Sequence, residues 1–280
     1  MIKIVQSFRG KGGDDKWLVV NGIIYVLSSI LCKKHGYETK MYCDDTFWEY
    51  IKDIAKYDEV SLEPNHYPTP PEKIYADVKF RCMENEPIGA IHMDGDVLLF
   101  NHKILGDLWD EDWDVLVQCE ENEHNIKCEW WKSSSRAFSK CLKPNWAADR
   151  CRAMYNCGVV CIRNEKLKKV YFDTYWKMYK EFEEKGLKDL DCVPDIIIEQ
   201  QYLLDLCKLW KLKVKFILPG DETMGRVARE KGYTHLIGGK AKYTNITNVL
   251  KVIYKYDKEA YIKLKERFYD REILKRKWPY

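Results

Sequence analysis

The sequence predicts an α/β protein with a mainly parallel sheet, on two observations. Short apolar runs alternate with longer stretches of helical periodicity, and the best-defined runs end at glycine or aspartate, where such sheets gather their ligands. The first run, Ile2 to Phe8, stops at Gly10-Lys11-Gly12-Gly13 and reads as a strand followed by a loop. From Trp17 to Lys34 apolar residues recur at helical spacing (Leu18, Ile23, Val26, Leu27, Ile30, Leu31), with His35-Gly36 as the stop. Glu38 to Cys43 gives a second strand ending at Asp44-Asp45, and Thr46 to Ala55 a second helix. Pro64, Pro68, Pro70 and Pro71 mark an irregular loop. A helix over Glu72 to Glu84 then precedes the strongest strand, Ile88 to His92, which ends at Met93-Asp94-Gly95-Asp96, and Val97 to Phe100 continues beyond it.

The stretch from Trp109 to Trp146, rich in tryptophan and charge, reads as an added layer with less regular structure. A strand over Val159 to Ile162 follows Asn156-Cys157-Gly158, and helices are expected over Glu165 to Glu184 and Pro194 to Trp210, before a strand over Lys213 to Leu218. The last helical region runs from Asn248 to Lys277, after Thr234-His235-Leu236-Ile237-Gly238. With no internal repeat and no clear linker, the expectation is one domain over residues 1–242 and a basic, amphipathic helical extension over 243–280.

At 280 residues and 46% hydrophobic content the chain has ample material for a core, which excludes a disordered chain. Its 47 basic and 44 acidic residues leave a net charge of +3, so whole-chain charge marks neither a nucleic-acid binder nor a membrane-surface protein. Charge is uneven, with ten Lys/Arg against five Asp/Glu from Tyr243 to Tyr280. Eleven cysteines, an odd number spread from Cys32 to Cys207 without CxxC or zinc-like spacing, predict buried thiols in a reducing, cytoplasmic setting and not a disulfide framework. Uninterrupted apolar runs such as Val97 to Phe100 are too short to span a bilayer, so no transmembrane segment is expected.

The chemistry concentrates at Asp94-Gly95-Asp96. Two carboxylates one residue apart at the end of a buried strand offer the hard oxygen ligands that Mg²⁺ and Mn²⁺ prefer, and a glycine between them lets a diphosphate approach the backbone. The same tripeptide is also a common turn, and the pattern alone does not separate the two readings.

The segment Ala90 to Phe100 resembles the strand-DxD segment of GT-A-fold glycosyltransferases, especially the retaining group that includes glycogenin and the bacterial lipooligosaccharide galactosyltransferases. Other pieces follow in order across most of residues 1–242: Lys79 resembles that group's donor-contacting lysine, Asn156-Cys157-Gly158 its Asn-x-Gly segment, Glu199-Gln200 its Asp-Gln pair, and His235-Leu236-Ile237-Gly238 its His-x-x-Gly element. The opening Lys3 to Phe8 and the run from His92 to Asp96 are also similar to a less characterised GT-A-like group of bacteria and phages.

What the resemblance implies is a GT-A (Rossmann-like) fold and a cytoplasmic, metal-dependent glycosyltransferase. Asp94, Asp96 and His235 would hold Mn²⁺ or Mg²⁺ against the diphosphate of a nucleotide-sugar donor, by the group's habit a UDP-sugar. Asp94, Gly95, Lys79, Asn156, Gly158 and Gly238 would contact the donor, and Gln200 or Glu199 would face the sugar of a retaining reaction in which Asp96 also takes part. The group's phosphate-binding lysine falls three residues after the glycine, where this chain has Ala241, so Lys240 and Lys242 are both candidates. Gln6, Ser7 and Asp44, at predicted strand ends, are candidates for base or ribose contacts, and Asp191 or Asp195 would serve as base if the enzyme inverts. The acceptor could be a glycan, a lipid-linked sugar or modified DNA, the last through the basic tail. The rival readings are a non-catalytic sugar-nucleotide or glycan-binding protein of the same fold, a haloacid-dehalogenase-like phosphatase with Asp94 as nucleophile and Asp221-Glu222 as its acidic pair, and a sugar-nucleotide-forming nucleotidyltransferase.

Overall fold

The computed structural model describes residues 1–10, 12–70, 74–122, 153–185, 197–218, 226–236, 243–275 and 278–279. They form two compact units. The first comprises Met1–Tyr67, Met93–Ile104 and Arg226–Tyr280, and the second Pro68–His92 and Leu105–Gly225.

In the first unit β1 (Lys3–Phe8) pairs in parallel with β2 (Glu38–Cys43) in the register Lys3↔Glu38 to Phe8↔Cys43. A short third strand, β3 (Glu59–Ser61), extends this parallel sheet beside β2. Between β1 and β2 runs α1 (Asp15–Lys34), capped by Asp14, whose carboxylate accepts from the Trp17 amide. α1 is apolar nearly all round, with fifteen of its residues buried from Leu18 to Cys32, because several elements cover it. Its neighbours in one core include Phe47 and Ile51 of α2 (Asp45–Ile51), and Ile246, Leu250 and Ile253 of a helix described below. By length and composition α1 could also cross a membrane, yet here most of it is buried in this core. Looking only for uninterrupted apolar runs overlooks it, since Asn21, Gly22, Ser28 and Ser29 break the run.

The chain enters the turn at Asp94 from β4 (Ile91–Met93) and leaves it as β5 (Val97–Leu99). β5 pairs antiparallel with β9 (Tyr233–His235), so that Val97 lies opposite His235. α8 (Tyr243–Tyr256) and α9 (Lys258–Phe268) complete the unit, with the Asp257 carboxylate capping α9 at the Ala260 amide. Much of the basic tail is used internally. Arg267 donates to the carbonyls of Glu49, Tyr50 and Lys52 at the end of α2, while Arg271 pairs with Asp15 and Lys56 with Asp257.

In the second unit β6 (Val115–Asn122) pairs antiparallel with β7 (Ala153–Ile162) and parallel with β8 (Val214–Phe216). α3 (Asp77–Asn85), α5 (Glu165–Lys185) and α6 (Leu203–Leu209) pack around an aromatic core in which Phe80 stacks on Tyr175 at 3.6 Å. Among the described residues two further α-helices are α4 (Lys103–Trp109) and, in the first unit, α7 (Arg226–Lys231). Three of the five strand pairings described here are parallel, which meets the α/β expectation.

Several elements differ from expectation for identifiable reasons. The strand expected from Ile88 starts at Ile91, because Gly89 at φ 88° and a bond from the Ala90 amide to the Pro87 carbonyl make a turn there. Asn156-Cys157-Gly158 lies inside β7 and not before it, opposite a register shift at Val117/Cys119. The helix expected from Pro194 has π-helical winding over Ile197–Tyr202 before α6 begins.

Candidate metal centre

Asp94, Asp96 and His235 converge in the first unit. Their ligand atoms all lie within 4.8 Å of one another, and Asp96 and His235 are buried while Asp94 is half-buried. Backbone pairing makes this happen. The Val97 amide donates to the Asp94 carbonyl at 3.0 Å, closing a tight turn, and the Leu236 amide donates to the Asp96 carbonyl at 3.0 Å, which sets His235 beside Asp96. The turn and the carboxylate cluster are thus one object, and the two readings of Asp94-Gly95-Asp96 do not compete.

The donor set fits a divalent cation. Two carboxylates and an imidazole offer two hard oxygens and one nitrogen. His235 Nε2 lies 3.5 Å from Asp96 Oδ1, long for a hydrogen bond but near the spacing of neighbouring ligands around one ion, about 3 Å for metal–ligand bonds near 2.1 Å. Three protein ligands leave positions for water and substrate oxygens.

The turn has a floor that the sequence reading missed. Tyr25 of α1 lies directly behind Gly95, where a Cβ would fall 2.0 Å from two of its ring atoms. The Tyr25 hydroxyl donates to the Ser7 carbonyl at 2.7 Å, and the ring is flanked edge-on by Phe8 and Phe47. Burial, then the charges of Asp94 and Asp96, hold its hydroxyl pKa well above the usual tyrosine value, so it stays a neutral donor. Gln6, 1% exposed, donates to Ser28 Oγ at 3.0 Å and to the Asp94 carbonyl at 3.4 Å, and accepts from the Tyr57 hydroxyl at 2.6 Å. Ser28 in turn donates to the Val97 carbonyl at 3.2 Å. A readable signal existed: Tyr25 and Ser28 are polar-tipped residues three apart in a mostly apolar helix, and such residues share a face.

Ser7 is half-buried at the end of β1, while Asp44 is 1% exposed and caps α2 through the Phe47 amide. Gly238, Lys240 and Lys242 lie outside the described residues, as do Asp191, Asp195, Asp221 and Glu222.

The second unit gathers another part of the predicted set. Lys79 pairs with Glu199 at 2.5 Å and donates to the Cys157 carbonyl at 2.7 Å, with side chains only 9% and 13% exposed. The Tyr171 hydroxyl donates to the Glu199 carbonyl at 2.9 Å. Asn156 donates to Glu121 at 2.7 Å and accepts from the Gly158 amide at 3.0 Å. Gln200 is half-buried on the π-helical turn. His92, buried near Lys79, has its pKa held well below the usual imidazole value, mainly by burial and then by that positive charge.

No curated protein matches this sequence. Among solved structures, the galactosyltransferase LgtC in complex with donor and acceptor sugar analogs is similar at a TM-score of 0.45 and 13% identity, covering 99% of this chain and 100% of that one. The apo-form glycosyltransferase GlyE of Streptococcus pneumoniae TIGR4 matches at a TM-score of 0.42 and 11% identity, over 97% and 64%. Mouse xyloside xylosyltransferase 1 matches at 0.34 and 11%, over 77% of each chain. The profile of one family matches residues 3–267, nearly the whole chain, and the protein therefore belongs to that family, described as "Family of unknown function (DUF6734)".

Proposed function

We propose that this protein is a divalent-cation-dependent glycosyltransferase, moving a sugar from a nucleotide-sugar donor to an acceptor hydroxyl. The observation that carries the reading is the convergence of Asp94, Asp96 and His235, with His235 delivered from far along the chain by the pairing of β5 with β9. The motifs outside that cluster that resemble the glycogenin group, at Lys79, Asn156-Cys157-Gly158 and Glu199-Gln200, add support by their order. The mixed oxygen and nitrogen set favours Mn²⁺, with Mg²⁺ as the alternative. When bound, such an ion supplies Lewis-acid neutralisation of a diphosphate leaving group.

The protein's own residues do the rest. Asp94 and Asp96 present their carboxylates from a closed turn, and His235 enters from the neighbouring strand, so the three ligands need little reorganisation. By the same resemblance we assign UDP as the donor's nucleotide, Lys79, Asn156 and Gly158 to donor contact, Glu199 or Gln200 to the sugar, and retention of anomeric configuration. We also assign Lys240 or Lys242 to the leaving phosphate, and a cytoplasmic setting with a glycan, lipid-linked sugar or modified DNA as acceptor.

The test is nucleotide release from a panel of sugar nucleotides with Mn²⁺ or Mg²⁺, for the wild type and Asp96→Ala. Metal-dependent release from one donor, reduced roughly a hundredfold or more by the substitution, is expected. No release from any donor, together with no metal-dependent nucleotide binding, would sink the proposal. Tight donor binding without turnover on any acceptor would favour a non-catalytic binding protein instead.

A further inference from the structure

We propose that Tyr25, assisted by Gln6 and Ser28, is a positioning residue that sets the pose of the Asp94-Gly95-Asp96 turn and thereby the affinity of the cation site. The proposal rests on the reading of that turn as a cation site.

The described glycines with left-handed φ are Gly12, Gly36, Gly89 and Gly232, so backbone conformation does not demand a glycine at 95. Space does. A Cβ there would lie 2.0 Å from Cε2 and Cζ of Tyr25 and 2.4 Å from Cε1, so the turn rests against the tyrosine ring with no room for a side chain. The ring cannot easily give way, since Tyr25 is 5% exposed, its hydroxyl is bonded to the Ser7 carbonyl, and Phe8 and Phe47 lie at centroid distances of 5.2 and 5.3 Å.

The turn is also held at its ends. Its opening carbonyl, at Asp94, accepts from Gln6, and the carbonyl of its closing residue, Val97, accepts from Ser28. Gln6 and Ser28 are bonded to each other and both are buried, so the turn is fastened at both ends and supported in the middle. Tyr25 and Ser28 share one face of α1, which makes that helix the seat of the site. Groups that orient ligands in this way commonly govern metal affinity by 10–100-fold.

Titration of the purified full chain with Mn²⁺ alone, followed by the paramagnetic resonance of the free ion, tests this, with circular dichroism to confirm folding. Gly95→Ala should weaken Mn²⁺ binding by roughly 10–100-fold. Tyr25→Ala, which removes the ring behind the turn, should weaken Mn²⁺ binding by roughly tenfold with the circular dichroism unchanged, whereas Tyr25→Phe, which keeps the ring, should bind within a few-fold of the wild type. Wild-type affinity in Gly95→Ala or in Tyr25→Ala would overturn the proposal. If Gly95→Ala does not fold, Gln6→Leu and Ser28→Ala carry the test. Each should weaken Mn²⁺ binding by about tenfold, and unchanged affinity in both would overturn it. Absence of Mn²⁺ binding by the wild type would instead remove the cation-site reading itself, and this proposal with it.

Discussion

In the first unit two carboxylates one residue apart are gathered with a histidine, while in the second a lysine and a glutamate from distant segments are gathered with each other. Both arrangements are largely buried, but their electrostatics differ. Lys79 and Glu199 offset each other's charge, and the Cys157 carbonyl accepts a further hydrogen bond from the lysine. Asp94 and Asp96 repel each other, and folding brings them together because the hydrogen bonds of the turn and the ribbon are fixed by the backbone. A pair of opposite charges can be sufficient for structure, whereas like charges held close call for a cation.

Removing one member of the opposite-charge pair should have the largest effect on folding. Lys79→Met leaves Glu199 buried and uncompensated and should destabilise the protein by roughly 3–5 kcal/mol in urea unfolding, whereas Lys79→Met with Glu199→Leu should recover most of that loss. Equal loss in the single and double variants would break the comparison, because the pair would then be more than self-compensating.

Next in size is the response to metal. Mn²⁺ at a hundred times its dissociation constant should stabilise the wild type by about 2.7 kcal/mol, read as a shift in melting temperature. His235→Ala should abolish most of that shift, and the same stabilisation in both proteins would place the ion elsewhere. A smaller effect is expected at Arg267, whose side chain ties α9 to the end of α2. Arg267→Ala should cost about 1–2 kcal/mol without changing Mn²⁺ affinity.

The smallest effect is on pH dependence. His35 shares a hydrogen bond with the Leu99 carbonyl of β5, and its pKa is lowered from 6.5, chiefly by burial. Its folded pKa lies below its unfolded one, so its contribution is fully present above about pH 6.5 and is lost as pH falls through the folded value. His35→Gln should flatten the stability profile in that acid window, and an unchanged slope would remove the assignment.

Much of the fold could be read from residue order. β2 matched its expected span residue for residue, and β1 and α5 came within a residue or two, because each is bounded by strong stop signals. What escaped depended on geometry that a local pattern does not carry. β3 is three residues long and owes its strand character to its neighbour β2. The π-helical turn uses i→i+5 hydrogen bonds, a slight widening that 3.6-residue counting blurs into ordinary helix. At the candidate site the residues of the Asp94-Asp96-His235 cluster were legible as motifs, while their support was not, since a tyrosine and a serine in a mostly apolar helix look like ordinary core residues. The Lys79–Glu199 contact was equally hidden, because one motif reads as a donor contact and the other as a residue facing the sugar, and nothing in either announces the other.

The pairing of β5 with β9 also dictates when the site can exist during synthesis. Its two strands come from distant parts of the chain, so closing the ribbon carries the entropy of a long loop and must wait for β9 to be made. A nascent chain emerging from the ribosome carries Asp94 and Asp96 long before it carries His235. On the proposed reading, tight cation binding arrives late, and a chain interrupted before residue 235 would hold the two proposed acidic ligands without the third.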